Sequence, residues 1–257
     1  MNVNLPYSLE QASFHTKEPF IIFEMDKFLS SENYEELIHG VNETHLPNEI
    51  YEPKGNKKKI IVNGENYSNF PGSPFKKLIK YFLSEEFFEW FVKTHLFDED
   101  RCTEPVYIYD KSKINIEQIR KETKSTGIER KFYETVVHYS SIRKNDFIPP
   151  HTDSKQKRLS FVLYLPSEEL SLEMQKGLGT VFYKPRKFRR AWRNYDSGLL
   201  SERKTRKFFN KYEIAHISLF KPNRCVGFIK NNISWHAVAP NNFDYDRRAI
   251  VINVMEL

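Results

Sequence analysis

Apolar positions change their period midway along the chain. In the first half they recur at helical spacing. Tyr34, Leu37, Ile38 and Val41 follow Phe28-Leu-Ser-Ser-Glu32, where Ser30 or Ser31 can cap a helix and acidic residues fill the next turn. A second helical zone opens at Ser73-Pro74 and carries Phe75, Leu78, Ile79, Tyr81, Phe82, Phe87, Phe88 and a run from Phe91 to Leu96. Its aromatics fall on more than one side, which predicts packing between two layers. Pro19 to Glu24 is a short β-prone run, and the polar stretch with Lys57 to Lys59 and Asn63-Gly64 reads as loop.

The second half reads as strands. Glu134 to Ile142, Leu159 to Leu165, Thr180 to Tyr183, Ile214 to Phe220, Cys225 to Ile229 and Ala249 to Val254 are short and rich in Val, Ile, Phe and Tyr, with Gly, Pro and Asn between them. Strands in succession without intervening helical patterns predict an antiparallel sandwich or barrel. Lys111 to Lys131, charged and poorly periodic, is expected to be an excursion before it. The expected fold class is mainly β with α. One domain, 1–257, places a helical N-terminal layer (1–100) on a jelly-roll core (101–257).

Composition narrows the class. With 257 residues and 39% hydrophobic positions the chain can bury a sizeable core, and a 29% charged share excludes wholesale disorder. No apolar run approaches the ~20 residues that span a bilayer. Met1 to Leu9 lacks a secretory pattern, and two cysteines cannot build a disulfide framework. These features predict a soluble cytoplasmic protein with no membrane partner.

The net charge of +6 is not evenly spread. Lys184 to Tyr212 holds 11 Lys or Arg and 2 acidic residues, a net of +9, so the remainder stands at −3. Phe188, Trp192, Tyr195, Phe208, Phe209 and Tyr212 interleave this charge. Such a mixture can bind phosphates or an acidic peptide. The favoured reading is a flap near the substrate entrance, its aromatics on the barrel and its charges in water. Nucleic acid is the less favoured partner.

The candidate chemistry starts at Pro149-Pro-His151-Thr-Asp153. In an extended segment, residues i and i+2 point to one side, so one metal ion could take both side chains. Eight His and 34 acidic residues make about one His-x-Asp/Glu expected by chance, so the pattern needs context. His236, in Ser234-Trp-His-Ala-Val238, supplies a second imidazole before the last strand. Two His and one carboxylate serve non-haem Fe(II) oxygenases and also catalytic zinc. On the last strand, alternation puts Arg247, Ala249, Val251 and Asn253 on one face and Arg248, Ile250, Ile252 and Val254 on the other. An arginine just inside a barrel mouth can fork a carboxylate.

In this order and spacing the pieces resemble the iron(II)/2-oxoglutarate-dependent dioxygenases, prolyl-hydroxylase-like branch. The resemblance runs through Pro19 to Ser30, Tyr139 to Pro166, Gly177-Leu-Gly-Thr-Val-Phe182, Phe220 to Phe228, His236-Ala-Val and Arg247-Arg-Ala-Ile. It implies a double-stranded β-helix with Fe(II) held by His151, Asp153 and His236. It implies 2-oxoglutarate and O2 as co-substrates, with ascorbate a candidate reductant. Arg247 would pair the far carboxylate of 2-oxoglutarate, with Arg248 the alternative if the register slips. Tyr164 occupies the place of a family tyrosine that helps hold that carboxylate, and Tyr139 could also reach it. The implied activity is hydroxylation of a protein or peptide residue, proline by default. The alternatives are a small molecule such as a free amino acid, or a non-catalytic jelly-roll binding module. Leu178 departs from the usual pair of adjacent glycines. Asn253 stands where the base-repair branch carries a second arginine, which disfavours that branch.

Overall fold

The computed structural model describes residues 3–5, 11–43, 50–52, 57–62, 73–93, 103–107, 115, 117, 118, 121, 129–187, 200 and 202–257. In chain order the elements begin with β1 (Phe14–Thr16), β2 (Ile22–Met25), α1 (Ser31–Glu43), β3 (Ile50–Glu52), β4 (Lys57–Val62), α2 (Ser73–Phe82), α3 (Glu85–Lys93) and β5 (Thr103–Tyr107). They continue with β6 (Glu129–Ile142), β7 (Ile148–His151), β8 (Lys157–Tyr164), α4 (Leu172–Gly177), β9 (Thr180–Pro185), α5 (Glu202–Lys211), β10 (Tyr212–Ser218), β11 (Cys225–Ile229), β12 (His236–Val238) and β13 (Arg247–Glu256).

Two sheets face each other without closing into a barrel. The larger has the order β1-β2-β11-β8-β13-β6-β4-β3, with β5 parallel to β6, and the smaller has the order β10-β9-β12-β7. Neighbours in the sheet path are antiparallel, as the strand-rich second half predicts.

Side-chain alternation sorts the large sheet into two faces. Val137, Tyr139, Leu159, Phe161, Leu163, Ile250, Ile252 and Val254 form one core with the helices. Into it α1 buries Tyr34, Leu37 and Val41, and α2 buries Phe75, Leu78, Ile79 and Phe82. Phe87 and Phe91 enter from α3. Ser30 begins α1, its hydroxyl accepting from the Asn33 amide at 3.4 Å. The second helical zone splits because the Ser84 hydroxyl accepts from the Phe87 amide at 3.3 Å and so starts α3 afresh. Phe82 meets Phe87 edge-on, with ring centroids 4.8 Å apart, and both reach Phe161 of β8. Burial of each such ring stabilises the layer contact by about 1.5–3 kcal/mol.

The opposite face of the large sheet looks onto the small sheet. Val162, Tyr164 and Ala249 meet Phe182, Phe220 and Phe228 there. A third cluster lies on the far side of the small sheet, where Val181, Tyr183 and Trp235 receive Phe208 of α5 and Tyr212.

One expectation changes. Lys57 to Lys59, read as loop, form β4 with Ile60 to Val62, because β6 supplies a backbone partner from Lys58 to Val62. The ladder, which leaves no mark in the local sequence, decides this segment. Within the basic insertion, α5 packs on the outer face of the small sheet, as the flap reading expects of its aromatics. Phe208 is fully buried and stacks on Tyr212 at 4.2 Å, which holds the helix there. Phe188, Trp192 and Tyr195, Asn63-Gly64 and most of Lys111 to Lys131 lie outside the described residues.

Candidate metal centre

His151 ends β7 and His236 begins β12, and these two residues are register partners in the small sheet. Pairing therefore brings together two imidazoles that stand far apart in sequence, with ring centroids 4.2 Å apart. Asp153 follows β7 with φ of 67°, a left-handed conformation that Asp tolerates better than most residues. One ligand-capable atom from each of His151, Asp153 and His236 lies within 4.8 Å of the others. His151 Nε2 is 3.4 Å from Asp153 Oδ1, and His236 Nε2 is 3.6 Å from Asp153 Oδ2.

Backbone carbonyls fix the state of both rings. His151 Nδ1 is 3.0 Å from the Pro149 oxygen, and His236 Nδ1 is 2.9 Å from the Ser234 oxygen. A carbonyl only accepts, so each Nδ1 carries a proton and each Nε2 is left on the Asp153 side of its ring. Burial, together with the neighbouring His151, pulls the pKa of His236 down to about 3, so this ring is neutral at ordinary pH. Burial alone would raise the Asp153 pKa, but its neighbours, led by the Lys157 charge, hold it well below the usual carboxylate range. Two imidazoles and a carboxylate make a donor set that fits a divalent first-row metal.

The ligand-capable residues open onto a cavity of about 70 Å³, also lined by Lys157, Ser160, Val162, Thr180, Phe228 and Arg247. Arg247 is 2% exposed. Its Nε donates to the Leu178 oxygen at 2.7 Å and its Nη2 to Thr180 Oγ1 at 3.2 Å. Burial lowers its pKa, and the adjacent Tyr164 opposes that shift. No carboxylate among the described residues is paired with it. A buried guanidinium in this state suits an incoming anion.

Tyr164 is fully buried beside Arg247, whose Cζ lies 5.3 Å from the ring centroid. Its hydroxyl donates to Thr180 Oγ1 at 2.8 Å and accepts from the Thr180 amide at 3.2 Å. Burial pushes the phenol pKa up, against the pull of the Arg247 charge.

Arg248 and Tyr139 sit elsewhere. Arg248 lines a separate surface cleft with Lys144, Asp244 and Asp246. Tyr139 belongs to the helix-facing core and meets Phe75 edge-on at 6.4 Å, which corrects the expectation that it reaches the co-substrate. It pairs with Ile250 in β13, and its neighbour Ser140 is the residue that faces the cavity. The signal was present in β6, where Tyr133, Val137 and Tyr139 share one parity and one core. Sequence reasoning missed Thr180, the Leu178 carbonyl and Lys157. Gly177-Leu-Gly179 marked the turn that holds the first two, since a Cβ at Gly179 would come within 2.3 Å of the Ser218 oxygen.

No protein-family model and no curated protein matches the chain. Solved structures do. A prolyl-4-hydroxylase from Pseudomonas putida has a TM-score of 0.50 at 11% identity, covering 97% of both chains. A prolyl hydroxylase from Trichoplax adhaerens, in complex with a hypoxia inducible factor peptide fragment, has 0.50 at 13%, covering 91% of this chain and 83% of that one. HygX from Streptomyces hygroscopicus, with nickel and 2-oxoglutarate bound, has 0.50 at 9%, covering 91% and 82%. The chain therefore has the jelly-roll fold of the prolyl hydroxylases and related 2-oxoglutarate-dependent oxygenases.

Proposed function

We propose that the chain is an Fe(II)/2-oxoglutarate-dependent hydroxylase acting on a side chain of a protein or peptide, with proline the default residue. One observation carries the reading. A buried arginine with no carboxylate partner among the described residues shares a cavity with two imidazoles and a carboxylate. His151, Asp153 and His236 would hold the metal through Nε2, one carboxylate oxygen and Nε2. Arg247 would take the far carboxylate of 2-oxoglutarate. Thr180 and the Leu178 carbonyl keep the guanidinium in place, and Tyr164 fixes Thr180 in turn. Val162, Phe228 and Val251 on the cavity wall keep bulk water from the reacting groups.

The metal and 2-oxoglutarate, when bound, supply the redox chemistry: O2 gives one oxygen atom to succinate, with loss of carbon dioxide, and one to a C–H bond. Ascorbate is a candidate reductant. The expected compartment, the cytoplasm, rests on the sequence. Among the described residues no helix is long and apolar enough to cross a membrane.

A second reading, the same chemistry on a small molecule such as a free amino acid, uses the same residues of the site. Succinate release from 2-oxoglutarate in air with Fe(II) tests both. Stimulation by a mixture of proline-containing peptides supports the first reading, and stimulation by an amino-acid pool supports the second. No succinate under any condition contradicts the hydroxylase assignment.

A further inference from the structure

We infer that Lys157 is a positioning residue of the metal centre: it clamps one oxygen of Asp153, so that the metal is offered a single carboxylate oxygen. The inference rests on the metal-centre reading above and assigns a residue that the two-His, one-carboxylate pattern does not contain.

The first observation is a bulge. Along β8 and β13, Ser160 pairs with Asn253 and Leu159 with Val254, but Met255 pairs with Lys157, leaving Arg158 as the extra residue. Unbroken alternation from Ser160, which lines the cavity, would turn Arg158 inward and Lys157 outward with Leu159. The reverse is found. Arg158 Nε reaches Glu256 Oε2 at 2.5 Å, while Lys157 lines the cavity. Bulges beside functional sites re-aim a side chain in this way.

The second observation is the contact. Lys157 Nζ is 2.8 Å from Asp153 Oδ1, and the two side chains are 19% and 9% exposed. An ammonium can only donate, so Oδ1 is engaged and Oδ2, on the His236 side, is left for a metal. Asp153 needs such support. It lies past the end of β7, in a left-handed backbone conformation that persists only where surroundings hold it. A carboxylate with both oxygens free can chelate a metal through two positions. The ammonium, bound to Oδ1, weighs against that and so favours keeping positions open for the co-substrate and O2.

The test titrates full-length protein with Co(II) without oxygen, following the visible d–d band. Lys157→Met should weaken Co(II) binding about 10–100-fold, the range for losing a group that orients a metal ligand. Lys157→Arg should restore most of the affinity, since a guanidinium can also donate to Oδ1. Arg158→Met, at the same bulge but facing Glu256, should bind Co(II) like wild type. If Lys157→Met binds as tightly as wild type, or Arg158→Met loses as much, Lys157 has no positioning role. If the wild type itself shows no d–d band, the metal-centre reading falls and takes this inference with it. Should Lys157→Met fail to fold, Lys157→Arg decides: near wild-type affinity with an unchanged band supports the clamp, and a 10-fold loss overturns it.

Discussion

His151 and His236 are register partners on adjacent antiparallel strands, and each ties its Nδ1 to a carbonyl two residues before it. Both Nε2 atoms are thereby pointed at one carboxylate before any metal arrives. Such preorganisation favours tight binding, because little side-chain freedom remains to be lost.

Loss of either ring should therefore remove the site and not merely loosen it. His236→Ala should lower affinity for Fe(II) or Ni(II) by more than about 100-fold, above the range for groups that only orient a ligand. Isothermal titration under nitrogen measures this. Near wild-type affinity would show that the metal binds elsewhere.

Arg247 and its neighbour separate cleanly. Arg247→Met should weaken 2-oxoglutarate binding to the metal-loaded protein by about 100-fold, equivalent to about 3 kcal/mol for a charged hydrogen-bonded pair. Arg248→Met should change it less than about 3-fold, because that side chain lines a different cleft. Equal losses in both variants would contradict the assigned register.

Tyr139 should behave as core. Tyr139→Ala should destabilise the fold by about 3–5 kcal/mol, read from urea unfolding, since it empties space against Phe75. Tyr139→Phe should leave 2-oxoglutarate affinity unchanged. A Tyr139→Phe variant with selectively weakened co-substrate binding would return the residue to the site.

Arg224 links β11 to β2 through buried Glu24, at 3.0 Å, and Asp26, at 2.6 Å. Its removal leaves Glu24 with His216 Nε2, 2.7 Å away, as its remaining partner, so Arg224→Met should cost about 2 kcal/mol at pH 7, the range for losing a charged hydrogen bond. The hydrogen bond from Arg224 lowers the Asp26 pKa in the folded state. That contribution is fully present above the unfolded value of 3.8 and is lost as pH falls through the folded pKa. Arg224→Met should therefore unfold at a higher pH on acidification. An unchanged acid midpoint would contradict the sign.

The sequence carried the strands and the His151-x-Asp153 pair because strand periodicity and that spacing are local, and His236 joined them through the resemblance. Alternation grouped Arg247 with Val251, which also lines the cavity, and the resemblance singled it out over Arg248. What escaped depends on partners. β4 is a strand because β6 pairs with it, and Lys157 faces the cavity because β8 bulges against β13. The Leu178 oxygen that holds Arg247 is backbone, which any residue supplies. Tyr139 was placed by its lying on the strand before the His151-Asp153 pair, whereas its side is set by the parity it shares with Val137.

The most direct measurement is an anaerobic titration of the protein with Fe(II) and then 2-oxoglutarate, watching for the visible charge-transfer band of the chelate. The account predicts the band in wild type, its absence in His151→Ala, and a higher 2-oxoglutarate requirement in Arg247→Met. A wild-type protein that binds neither the ion nor the keto acid, or a band that survives in His151→Ala, would contradict it.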